Sequence, residues 1–202
     1  MFIALPLICL ALGDFPRRTF LKEAISILTI LAFFLMLGQF YLTRGNTAIL
    51  IKIKMSKILK VHKFIGYVFI PVLLLHPFLI VLPRFFESGV SPMDAFITLI
   101  TTFNCTGIIL GMFAWALMLT IGLTSLLRNK LPLSYKAWRV VHGVLSVLFI
   151  SLASWHVTNM GRHMDTAMSV LVIILAGIAV LLILKTYFLK QRLHERKISN
   201  EQ

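Results

Sequence analysis

Acidic side chains and cysteines are scarce in this sequence. Seven Asp and Glu stand against 20 Lys and Arg, and charged residues of either sign make up only 13% of the chain. So few charges cannot clothe a soluble domain. The 59% hydrophobic content and mean hydropathy of +0.93 say the same. The basic excess flanks long apolar runs and does not gather into one stripe. That arrangement argues against nucleic acid as a partner and fits loops beside a lipid bilayer. Cys9 and Cys105 lie in apolar surroundings with no CxxC, CxxCH or zinc spacing, so neither c-type haem nor a zinc site is indicated. No GxGxxG occurs and no α/β stretch is long enough to carry one, which leaves no NAD or flavin site in this chain.

What is present is a series of apolar runs, several near the roughly 20 residues that cross a bilayer core. They predict an all-α membrane protein, a six-transmembrane-helix bundle whose first helix is short. The spans are Met1–Gly13, Thr19–Thr43, Lys60–Leu82, Asn104–Leu127, Ala137–Val157 and Ala167–Leu189. Met1–Gly13 lacks the basic start and small-residue cleavage site of a signal peptide, and is either a short first helix or one that does not fully span. Asp94–Phe103 is apolar and either lies at the interface or begins the fourth span, while Thr158–Asp165 reads as a short polar loop. Residues 1–190 form the membrane domain on this reading, and 191–202 a charged tail. Fifteen of the 20 basic residues follow spans two, four and six. The positive-inside rule then puts that tail in the cytoplasm, with the protein in a bacterial cytoplasmic membrane. Arg17, Arg18 and Lys22 conflict with this locally, because they fall on the outer side.

Four of the six histidines lie inside spans: His62 and His76 on the third, His142 and His156 on the fifth. Members of each couple are 14 residues apart, which on an α-helix is nearly four turns, so they face within ~40° of one another and about 21 Å apart in depth. The two spans run parallel, which levels His62 with His142 and His76 with His156. Two imidazoles facing across a bundle can ligate one haem iron, and the arrangement offers this twice. Single intramembrane histidines also serve as hydrogen-bonding residues between helices or as proton relays. Two matched couples favour two haem b groups. Phe69 and Phe149 lie midway between the histidines of their helices, as core residues or as filling on an inter-haem path. Lys63, Arg139 and Arg162 lie near the ligand levels, where they are either ordinary basic flanks or partners for haem propionates. His163, in the loop, and His194, in the tail, are expected to be solvated.

The segments His62-Lys-Phe-Ile-Gly66 to His76-Pro77, and Ser134-Tyr-Lys-Ala-Trp138-Arg-Val-Val-His142-Gly143 to Trp155-His156, resemble the ferric reductase-like transmembrane domain. That superfamily includes the membrane part of NADPH oxidases and bacterial haem-bearing membrane components, and the resemblance covers about residues 14–190. It implies a bundle with two haems stacked between helices three and five, and it matches the family's four ligand positions to His62, His76, His142 and His156. Many members continue into a flavin reductase, which this chain does not contain. The expected partners are therefore the lipid bilayer, a separate cytoplasmic reductase or other donor, and an acceptor outside. The expected role is that of an electron-transfer component of an oxidoreductase. Outward electron movement in an inside-negative cell gains about 2.3 kcal/mol per 100 mV. Rival roles are a quinone-linked cytochrome b subunit, a haem-free histidine-containing transporter, and a scaffold subunit with no redox part.

Overall fold

A computed structural model describes residues 1–16, 18–43, 46–103 and 105–200, with side chains up to residue 186. Arg17, Arg44, Asn104, His194 and the side chains of the charged tail lie outside the described residues. Among the described residues every regular element is helical. The order is α1 Ala4–Leu12, α2 Phe20–Gln39, α3 Thr47–Lys52, α4 Met55–Leu74, α5 His76–Val81, α6 Pro92–Thr101, α7 Thr106–Leu126, α8 Tyr135–Met160 and α9 Thr166–Asn200. In apolar lipid the backbone must satisfy its own hydrogen bonds, which is why such a sequence folds as helices.

Four helices are long and apolar enough to cross a membrane: α2, α7, α8 and the Thr166–Thr186 part of α9. Met55–Leu74 and His76–Phe85 pass the same test only as a pair, bent by 46°, so the described residues offer four or five candidate spans where the sequence predicted six. The chain is an integral membrane protein. At nine residues α1 is too short to cross alone, but it lies alongside α2. Phe2 packs on Tyr41 and beside Gly38, whereas Phe15 packs on His163, which pairs with Glu23. Glu23 and Gly38 are 15 residues apart on α2, so the opening segment follows α2 for roughly 22 Å.

The helix starts are locally encoded. Ser91 caps α6 by accepting from the Asp94 amide, with Pro92 at the first helical position. The Ser134 hydroxyl accepts from the Ala137 amide at the start of α8. A carboxylate oxygen of Asp165 accepts from the Met168 amide at the start of α9. The core joins α2, α7, α8 and α9 around Phe34, Leu37, Ile150, Met168 and Val172, all fully buried.

Several expectations are corrected. The third span is not one helix: it starts earlier, at Met55, and breaks at Leu75. Pro77 has no N–H to offer the Leu73 carbonyl, and its ring collides with that turn. The Leu75 amide turns back to the Pro71 and Leu73 carbonyls, and the axis bends. The basic connection before this span holds the short helix α3, and Asp94–Phe103 is mostly a separate helix, α6. The supposed loop from Thr158 is helical to Met160, because the Ser154 and Val157 carbonyls are still used: Thr158 Oγ1 donates to the first and Gly161 N–H to the second. His163 is not solvated. It is 4% exposed, with Nε2 3.1 Å from Glu23 Oε2 and the Phe15 ring edge-on at 4.8 Å.

Candidate functional site

The two ends of the bundle each assemble one histidine from α4 or α5 and one from α8. At one end His62 and His142 face each other with ring centres 6.4 Å apart and planes at 69°. At the other, His76 opens α5 and His156 lies near the end of α8, with α7 hydrogen-bonded to both sides, through Trp115 to Leu74 and through Gly107 to His156. The break between α4 and α5 lies between His62 and His76, so the direction of His76 is set by the 46° bend as well as by the 14-residue spacing.

Helix α7 packs on both α4 and α8 and orients the α8 histidines. His156 Nδ1 lies 2.7 Å from the Gly107 carbonyl oxygen. A carbonyl only accepts, so Nδ1 carries the hydrogen and the neutral ring keeps its lone pair on Nε2. The Ser125 hydroxyl donates to the Ile121 carbonyl, and its oxygen lies 3.4 Å from His142 Nδ1, a weaker version of the same arrangement. Trp138 lies beside the His142 ring at 5.1 Å, fixed by its indole N–H to the Thr124 carbonyl. Gly111 makes room for His156: a Cβ there would stand 2.6 Å from the ring. Sequence reasoning missed this role of α7, although Gly107-Ile-Ile-Leu-Gly111 is a GxxxG pattern, the known sign of close helix approach in membranes.

His76 is held by the helix break. The bend frees the Leu74 carbonyl, which accepts from Trp115 Nε1 at 2.9 Å. The His76 Nδ1 atom is buried without a hydrogen-bond partner, a costly state for an imidazole in an apolar setting. Between α4 and α8 there is no extensive contact, and Ile58 is the one buried residue of α4. α4 and α8 therefore meet mainly through α7, with His62 and His142 facing each other across the gap.

The other sequence-picked residues fall as follows. Phe149 is buried, and Phe69 packs against the same core. Lys63 is exposed. Arg139 is half-buried, with its guanidinium 5.8 Å from the Tyr135 ring centre. Arg162 is exposed and donates to the Pro16 carbonyl at 3.2 Å. Outside the spans, Lys22 donates to Glu87 at 2.7 Å and so holds that carboxyl below its ordinary range. Among the described residues no three His, Cys, Asp or Glu side chains converge as a metal cage requires, so each level offers a pair of imidazoles and no more.

Comparison with known proteins agrees with this picture. The chain is 44% identical over 169 residues to an uncharacterized protein of Archaeoglobus fulgidus, covering 84% of this chain and 92% of that one. No solved structure matches. Residues 28–153 match the ferric reductase like transmembrane component family, a stretch that holds His62, His76 and His142 and stops three residues short of His156. With well over half its length matched, the chain belongs to the ferric reductase like transmembrane component family.

Proposed function

We propose that the chain is a transmembrane electron carrier that holds two b-type haems, one between His62 and His142 and one between His76 and His156. The observation that carries this reading is the 6.4 Å separation of the His62 and His142 rings. Two imidazoles on opposite sides of one metal ion each put a nitrogen about 2 Å from it, so their ring centres stand about 6 Å apart. The partnerless His76 Nδ1, the space kept by Gly111 and the thinly packed α4 fit the same group. Bound haem supplies one-electron redox chemistry.

The protein's own contribution is positional. Gly107 fixes the tautomer of His156, Trp115 steadies the turn that aims His76, and Trp138 buttresses His142. Phe69 and Phe149 fill the middle of the bundle between the two levels and exclude water from it. A haem held by both imidazoles of one level would supply electron transfer in preference to binding of oxygen. The basic His62/His142 end faces the cytoplasm, where a separate reductase delivers electrons, and an acceptor on the far side takes them.

An absorption spectrum of the purified protein with a haem-to-protein ratio tests the reading. Low-spin bands and about two haems per chain are expected for paired histidine ligation. His142→Ala and His76→Ala are each expected to lose one haem, from opposite ends. A preparation that stays colourless when supplied with haemin overturns the reading.

A further inference from the structure

The His76/His156 end carries basic residues that the positive-inside trend does not account for. The structure shows what they surround. A cavity of about 90 Å³ lies between the start of α2 and helix α5, with His76, Ser26 and Thr29 in its wall and Arg18 and Lys22 beside them. Lys22 Nζ is 2.6 Å from Glu87 Oε1, Arg84 Nη1 is 4.0 Å from Glu87 Oε2, and Arg18 acts on the same carboxylate through its charge. Three cations thus share one anion, and the local balance stays positive. The hydroxyl hydrogen of Thr29 is directed to the Ile25 and Ser26 carbonyls, and no Asp or Glu is among the residues that line the cavity. Arg162, the basic residue first suspected at this level, reaches instead to the Pro16 carbonyl.

We propose that this cavity is a carboxylate-binding site, in which Arg18 and Lys22 hold carboxylates presented beside His76. Charge and position both require an anionic ligand. A carboxylate can accept from a guanidinium and an ammonium at once, and such charge-assisted bonds are short and strong. Two sources have this chemistry: the propionates of a porphyrin clamped by His76, or the carboxylates of a soluble ferric chelate arriving from outside. The first source rests on the haem reading above; the second does not need a propionate contact.

The test uses the full chain, wild type and Arg18→Gln/Lys22→Gln, supplied with haemin or with haemin dimethyl ester, whose propionates are masked. Esterification is expected to weaken loading of the His76 level about tenfold or more in the wild type, and to make no difference in the double variant. The His62 level is expected to load alike throughout, which serves as the folding control. For the second source, the double variant is expected to show a raised KM for ferric citrate relative to its own KM for an uncharged acceptor. Haemin and its ester loading equally in the wild type, together with an unaltered citrate KM, overturns the proposal. A wild type that takes up no haemin ends the haem reading separately. The site is then judged by citrate alone: thermal stabilisation by citrate that the double variant loses supports it, and equal melting of both proteins overturns it.

Discussion

A methyl group at Gly111 and one at Gly107 would meet very different neighbours. At Gly111 it collides with the His156 ring, which is pinned by its bond to the Gly107 carbonyl. At Gly107 it meets Cγ and Sδ of Met160, an unbranched side chain that must swing to another rotamer to clear it. Gly111→Ala is therefore expected to disturb the His76/His156 level alone, with an overpacking cost of about 1–3 kcal/mol. Gly107→Ala is expected to cost less, because Met160 can repack while the pinned His156 ring cannot. Haem stoichiometry and low-spin electron paramagnetic resonance signals of the two variants check this contrast. His163 offers a second test at this scale. Its ring is sealed by Phe15 and bound to Glu23, so His163→Ala leaves a polar group without its partner and opens a gap under the opening segment. A loss of about 1–3 kcal/mol is expected, read as a lower melting temperature in detergent and faster proteolysis near Phe15. Glu23→Gln, which can still accept from the ring, is expected to be milder. Nothing in the sequence near His163 signals this burial, because its partners Phe15 and Glu23 lie at the other end of the chain, before α2 and in its first turn.

At the scale of elements, the break between α4 and α5 decides where His76 points. Pro77 removes one ladder bond, the axis bends by 46°, and the Leu74 carbonyl left open is taken by Trp115 from α7. Pro77→Ala restores the missing N–H and lets the helix straighten. The expected result is loss or weakening of the cofactor at the His76 level with the His62 level retained, measured by the same haem ratio. A variant that keeps both levels with unaltered spectra shows that packing, and not proline, sets the bend. Part of this arrangement was legible beforehand. Fourteen residues is close to a whole number of turns, so His142 and His156 share a face of the unbroken α8, whereas His62 and His76 stand on either side of a bend. The bend was not legible, because membrane helices absorb many prolines without a break, and only the partner from α7 shows which carbonyl was freed. The orienting role of α7 was half visible. Gly107 and Gly111 announce a close approach, but not which helix makes it.

Across the whole molecule, charge is divided unequally between the two ends. Read along the sequence, the segments next to His76 and His156 carry five basic and five acidic residues, while the segments next to His62 and His142 together with the tail carry 15 basic and two acidic residues, the entire net charge of +13. Lys52, Lys54, Lys57, Lys60, Arg128, Lys130 and Lys136 are all exposed there, around the His62/His142 level. Such a field draws in anionic donors and speeds their encounter, and salt screens it. The proposed direction of electron flow thus has a kinetic signature. Reduced flavin mononucleotide, an anionic donor, should reduce the haem-loaded protein rapidly in vesicles that expose the basic end. The rate should fall severalfold as ionic strength rises from about 10 mM to 1 M and the screening length shrinks from about 30 Å to 3 Å. Vesicles exposing the other end should react more slowly and respond less to salt. Lys57→Glu with Lys136→Glu should flatten the salt response without altering the haem spectrum, since both side chains are exposed. Equal rates and equal salt dependence from the two sides would show that the charge division orients the chain in its bilayer but does not recruit its donor.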